Sequence, residues 1–222
     1  MLPMTANGNR VEVIYDIETT DMYGGDPSSM TISIVSAYRR ELNKDLKEVS
    51  GEMRSFWTPE AFTLVGKNER MFDDMWEWFE EADRIIGYNS FGFDNPIMNV
   101  IYKKGDFTKL KHFDVMDVIR KVFGHRVKLD SVAKESVGVG KNASGGDAVT
   151  WWGKRDAESL ANLKKYCEMD VEVTKKVYDF GMKTGTLRFK DHWNEPREIE
   201  VDFSYPVEVE LVTPAEVQMG LF

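Results

Sequence analysis

The sequence predicts a layered α/β or α+β domain built on a mixed sheet, and three observations carry that prediction. β-rich runs come first, at Val11–Ile17, Met30–Arg39 and Leu46–Met53. The period then changes, with Phe72, Met75, Trp76 and Phe79 at i, i+3, i+4 and i+7, the spacing of an amphipathic helix. From there onward strand-like and helical segments alternate.

The segment TTDMYGGDPSS between the first two strands is dense in turn residues. After the 72–79 helix a short strand is expected at Arg84–Tyr88, followed by a loop. The next helix starts near Pro96, whose fixed φ suits a first turn. Strand character returns at Leu110–Phe113, and helical patterns cover Asp114–Phe123 and Leu129–Val137. Residues 138–155, with GVGKNASGG and then TWWGKR, are expected to form a mobile loop. A long helix is expected from Asp156, as N-cap, to Gly181, as stop, with Lys175 and Lys176 in its last turns. Leu187 and Phe189, then Ile199, Val201 and Phe203, alternate as a hairpin does. The expected organisation is one domain over 1–203, with its core at about 11–185 and the hairpin at about 186–203. An extended tail occupies 204–222.

The chain has 222 residues, enough for one domain with a substantial core. Its 29 Lys and Arg against 38 Asp and Glu leave a net charge of −9, which argues against nucleic-acid binding by bulk positive charge. A nucleic-acid substrate stays open, because divalent cations reverse the local sign of an acidic cleft. The single cysteine, Cys167, excludes an intramolecular disulfide and a multi-Cys zinc site; it reads as a small buried hydrophobe. No apolar run suffices for a membrane span and the opening MLPMTANGNR has no signal-peptide core, so a soluble cytoplasmic protein with no membrane partner is the expectation.

Four carboxylates stand out. Asp16 and Glu18, in YDIETT, lie at i and i+2 of a strand and so share a face. Two adjacent anions repel one another, and a divalent cation removes that cost. Taken alone, the pair reads first as an exposed strand end. Asp94, in NSFGFDNP, precedes a helix and on its own suits a cap. Asp170 follows Tyr166 by four residues and Leu163 by seven, which puts it on an apolar stripe. A carboxylate there is costly unless it is paired, hydrogen-bonded or metal-bound.

Together, DIET, GYNSFGFDNP and YCEMD resemble, in order, the three motifs of DEDD 3′→5′ exonucleases. The wording is close to the proofreading domain of family-B DNA polymerases. The resemblance implies a ribonuclease H-like fold, with a mixed five-stranded sheet flanked by helices. It implies two Mg²⁺ or Mn²⁺ ions held by Asp16, Glu18, Asp94 and Asp170, consistent with the preference of hard cations for oxygen. In the family, a Tyr four residues before the last Asp orients the attacking water, where a related branch uses His one position earlier. Position 165 here is Lys, so Tyr166 resembles the DEDDy branch. The resemblance also places Thr19, Asn89 and Phe93 against the 3′-terminal nucleotides, with ordinary core packing as the other reading of Phe93. The implied activity is removal of nucleoside monophosphates from a single-stranded or frayed DNA 3′ end, in proofreading or repair. RNA trimming, or a binding module with little chemistry, are the alternatives.

Other signals rank lower. GVGKNAS is no P-loop, since Glu135 stands where the first glycine belongs and Asn142 where Ser or Thr must bind Mg²⁺. Trp151 and Trp152, beside Lys154 and Arg155, suit either a single-strand clamp or an anchor onto the core. The terminal QMGLF resembles the short peptide by which bacterial replication and repair proteins dock on a sliding clamp, with Gln218, Leu221 and Phe222 as anchors.

Overall fold

The fold was obtained as a computed structural model and is described for residues 8–22, 24–65, 70–140 and 145–205. Gln218, Leu221 and Phe222 lie outside these residues, as does the rest of the tail beyond 205.

Three antiparallel strands come first: β1 (Arg10–Thr19), β2 (Ile32–Leu42) and β3 (Glu48–Trp57). α1 (Pro59–Val65) begins on a proline, which lacks the N–H that a first turn leaves unbonded. The two-residue β4 (Arg70–Met71) then pairs parallel to β3. This edge makes the sheet six-stranded instead of the expected five, in the order β4-β3-β2-β1-β5-β6. Two residues carry no readable period, which is why the edge escapes the sequence.

The 72–79 stripe is folded as two pieces. A 3-10 turn at Phe72–Asp74 precedes α2 (Trp76–Glu81), because the Asp74 carboxylate takes the Met71 N–H at 3.3 Å and tightens the entry. The stripe still points inward, with Met75, Trp76 and Phe79 buried. β5 (Arg84–Gly87) runs parallel to β1 and leaves it after the Ile14–Ile86 pair. α3 (Asp94–Ile101), β6 (His112–Asp114), α4 (Val115–Phe123) and α5 (Leu129–Val137) follow.

The region expected as a loop contains α6 (Gly145–Lys154). Burial of Ala148 and Trp152 against the last long helix overrides the helix-breaking glycines at its start. That long helix, α7 (Ala157–Thr184), is capped by Asp156, whose side chain accepts from the Ser159 N–H at 2.8 Å. It does not stop at Gly181. The left-handed cap is Gly185, at φ 68°, and Gly181 is needed for space: a Cβ there would lie 2.2 Å from the Phe203 ring. β7 (Thr186–Lys190) and β8 (Pro196–Glu200) close a separate hairpin.

β1 is central, and its alternation sorts two cores. Val13, Tyr15 and Ile17 pack toward α2 and α3. Ile14 faces α4, α5, α7 and the hairpin. Asp16 and Glu18 share the parity of Ile14, which turns them toward α7.

Candidate active site

The C-terminal end of β1 presents Asp16 and Glu18, and α7 presents Asp170 to the same spot. Carboxylate oxygens of these three residues all lie within 4.8 Å of one another. Glu18 and Asp170 are buried and Asp16 is half-buried. Helical spacing on α7 aligns Tyr166 one turn before Asp170. The two side chains are hydrogen-bonded, and burial followed by the charges of Asp170, Glu18 and Asp16 pushes the phenol well above its ordinary pKa. Tyr166 therefore stays protonated and faces all three carboxylates. Trp151 on α6 packs edge-on against its ring at 6.1 Å, while Trp152 is an anchor in the core.

Asp94 opens α3 and is buried. It falls outside the 4.8 Å triad but lines one cleft with it, an open space of about 240 Å³. Burial, and then Asp114 and Asp170, push its carboxyl up to about 7, against the hydrogen bonds of its own N–H and that of Ile17. Departure of β5 from β1 beyond Ile14 is what leaves room for Asp94 beside Ile17. Thr19, Asn89 and Phe93 also line the cleft. Thr19 is turned partly to its own loop, with Oγ1 donating to the Asp21 carbonyl at 2.7 Å. Phe93 is packed in part against the core. Asn89 sits at φ 63°, a conformation asparagine tolerates, and its buried Oδ1 has no hydrogen-bond partner among the described residues.

Sequence reasoning missed four contributors. Asp114 caps α4 through Met116 N–H at 2.9 Å and also accepts from Asn89 N–H at 2.8 Å and Phe91 N–H at 3.0 Å. It fixes the turn that carries Asn89 and Phe93 into the cleft; the signal was an Asp at a strand-to-helix junction. Cys167 is more than filler: its buried Sγ lies 3.9 Å from Asp16 Oδ2 and 3.5 Å from the Asp16 carbonyl. Burial and the neighbouring carboxylates push its thiol up, so it backs Asp16 as a neutral group. Gly145 and Val149, from the helix expected as loop, form a wall of the cleft.

The donor set fits hard divalent cations. Three carboxylates converge, a fourth lines the same cleft, and no Lys or Arg is among the described residues that line it. A larger groove of about 850 Å³ beside α2 and α3 has no such triad among the described residues, so size does not mark the site.

No curated protein matches the sequence. The RNase H superfamily does match, over residues 13–181, a span that begins in β1 and ends near the close of α7. That span contains every carboxylate of the cleft and accounts for most of the chain, which belongs to the RNase H superfamily.

Proposed function

We propose that the chain is a metal-dependent 3′→5′ exonuclease of the DEDDy type, acting on a single-stranded or frayed 3′ end. The observation that carries this is the meeting of Asp16, Glu18 and Asp170 within 4.8 Å, with Tyr166 hydrogen-bonded to Asp170. Membership of a typically nucleolytic superfamily supports the broader class. Asp16, Glu18, Asp94 and Asp170 would hold two Mg²⁺ or Mn²⁺ ions, which when bound supply an activated water and neutralise charge on the leaving 3′ oxygen. Tyr166, kept protonated with its O–H given to Asp170, orients that water through its hydroxyl oxygen, which accepts a hydrogen bond from it. Asp114 holds the turn at Asn89, so that Asn89 and Phe93 meet the terminal nucleotide, one by hydrogen bonding and one by stacking. Thr19, at the end of β1, contacts the same nucleotide.

DNA is the preferred substrate in this reading, with a place in proofreading or repair. Recruitment to a sliding clamp through Gln218, Leu221 and Phe222 belongs to it on sequence grounds alone; clamp binding by calorimetry should vanish when these residues are deleted. The central test uses 5′-labelled single-stranded DNA and matched RNA with Mg²⁺, Mn²⁺ or EDTA. A metal-dependent ladder shortening from the 3′ end, absent in Asp16→Ala, is expected. Internal cuts, or an undiminished ladder in that variant, would sink the assignment.

A further inference from the structure

A second groove, of about 430 Å³, opens between the α4–α5 connection and the β7–β8 turn. Arg126, Lys128, Lys134 and Lys190 line it, and His125 and His192 face one another with ring centroids 6.4 Å apart. All six are exposed, a local concentration of positive charge on a chain of net charge −9. Asp130, Glu135 and Asp191 line it as well, and the last is neutralised by an arginine outside the groove. Asp191 is committed to Arg197 at 2.7 Å and to the N–H groups of Trp193 and Glu195. Glu135 reaches only Lys190, at 3.9 Å. Among the described residues, Arg126, Lys128 and Lys134 form no ion pair.

The groove is joined to the cleft through two contacts. Tyr88, which lines the cleft, donates its hydroxyl to the Val127 carbonyl at 2.7 Å and pins the 126–128 segment beside the site. The Arg126 guanidinium closes on Gly92: a Cβ there would stand 3.4 Å from Nη2 and 3.0 Å from Asn89 Oδ1. Positive charge thus begins next to Asn89 and runs outward. Two aromatic faces accompany it, Phe91 at 45% exposure and Trp193 at 67%, the latter against His192.

We propose that this groove continues the substrate track and binds the single-stranded polynucleotide trailing the terminal nucleotide. Arg126 sits at the junction, Lys128, Lys134 and Lys190 meet phosphates, and Trp193 stacks on a base. Cations spread along a groove with flat aromatic surfaces suit a polynucleotide better than a compact anion. The inference rests on the nuclease reading for what occupies the cleft.

The test measures anisotropy of labelled single strands of about 4 and about 12 nucleotides on the full chain in EDTA. The long strand should bind more tightly, and a Lys128→Glu/Lys134→Glu/Lys190→Glu variant should lose about tenfold or more of that advantage. Its salt slope should be shallower by about 2, at about 0.7 per phosphate contact on single strands. Trp193→Ala should weaken the long strand about fivefold. Equal binding by wild type and the triple variant, no advantage of length, or equally strong competition by polyglutamate would overturn the track. Cleavage with Mg²⁺ is read separately. Loss of the length advantage in a protein that cleaves nothing would support the groove and fail the nuclease reading, whereas cleavage with an unchanged advantage would fail the groove alone.

Discussion

Glu12 and Glu18 lie on the same strand and face the same helix, and both are buried, at 0% and 9% exposure. Their surroundings differ in sign. Glu12 accepts from Arg40 Nε at 2.8 Å and from the Tyr178 hydroxyl at 2.8 Å, and also from the Tyr205 hydroxyl. Arg40 Nη2 adds a contact at 2.7 Å and reaches Asp179 at 2.7 Å on its far side. Burial alone would lower the Arg40 pKa, yet Glu12 and Asp179 outweigh it and hold the guanidinium charged. Glu18 instead meets Asp16 and Asp170. One end of β1 therefore pairs its buried carboxylate with a buried guanidinium, while the other gathers three carboxylates at one spot. The first arrangement serves the fold, and under the proposed function the second serves chemistry.

The largest expected effect would erase the second arrangement. Asp16→Asn or Asp170→Asn should reduce turnover in the proposed exonuclease reaction by about a thousandfold. Asp170→Asn should at the same time raise the melting temperature of the metal-free protein by about 2–4 °C, because an anion leaves a like-charged cluster. A fall in both activity and melting temperature would mean that the cluster is structural. The reciprocal change, Glu12→Ala, should cost about 3 kcal/mol by denaturant unfolding, since Arg40 loses its closest buried partner. Its turnover per folded molecule should match wild type.

Tyr166→Phe sharpens the comparison at a single hydroxyl. An expected drop in kcat of about 10- to 100-fold, with KM little changed, would separate water orientation from substrate binding. The smallest effect is in pH. Asp94 is raised in the folded chain to about 7 from its ordinary 3.8. Between those values the folded state holds a proton that the unfolded state has released. Its stabilising contribution is thus present at low pH and is lost as pH rises through 7. In EDTA the melting temperature of wild type should fall relative to Asp94→Asn between pH 5 and pH 8. Parallel pH profiles would show that Asp94 is not held in this way.

What was legible in the sequence follows from local periodicity. The i, i+2 spacing of Asp16 and Glu18 and the i, i+4 spacing of Tyr166 and Asp170 each put a pair on one face, and the fold turns those two faces together. The α/β layering was legible for the same reason. What depended on distant partners was not. The Gly145–Lys154 helix forms because Trp152 finds a core contributed by α7, a contact that its glycines conceal. Gly181 looks like a helix stop until Phe203, far along the chain, is seen to occupy its space. The partners of Glu12 come from β2, α7 and the segment after β8, so nothing beside it in sequence announces a buried ion pair.

Phe203 and Tyr205 also bear on where this molecule can be cut. Arg84, at the start of β5, donates to the Phe203 carbonyl at 2.7 Å and to the Ser204 carbonyl at 2.7 Å, and its guanidinium lies 3.7 Å over the Tyr205 ring. Residues 201–205 therefore act as a strap across the entry of the sheet, with Phe203 seated on α7 and Tyr205 closing over Glu12. The superfamily match ends at residue 181, so the family unit and the strapped fold have different boundaries. Trimming to the shared domain would retain every carboxylate of the cleft while removing the lid from a buried charge at its opposite pole.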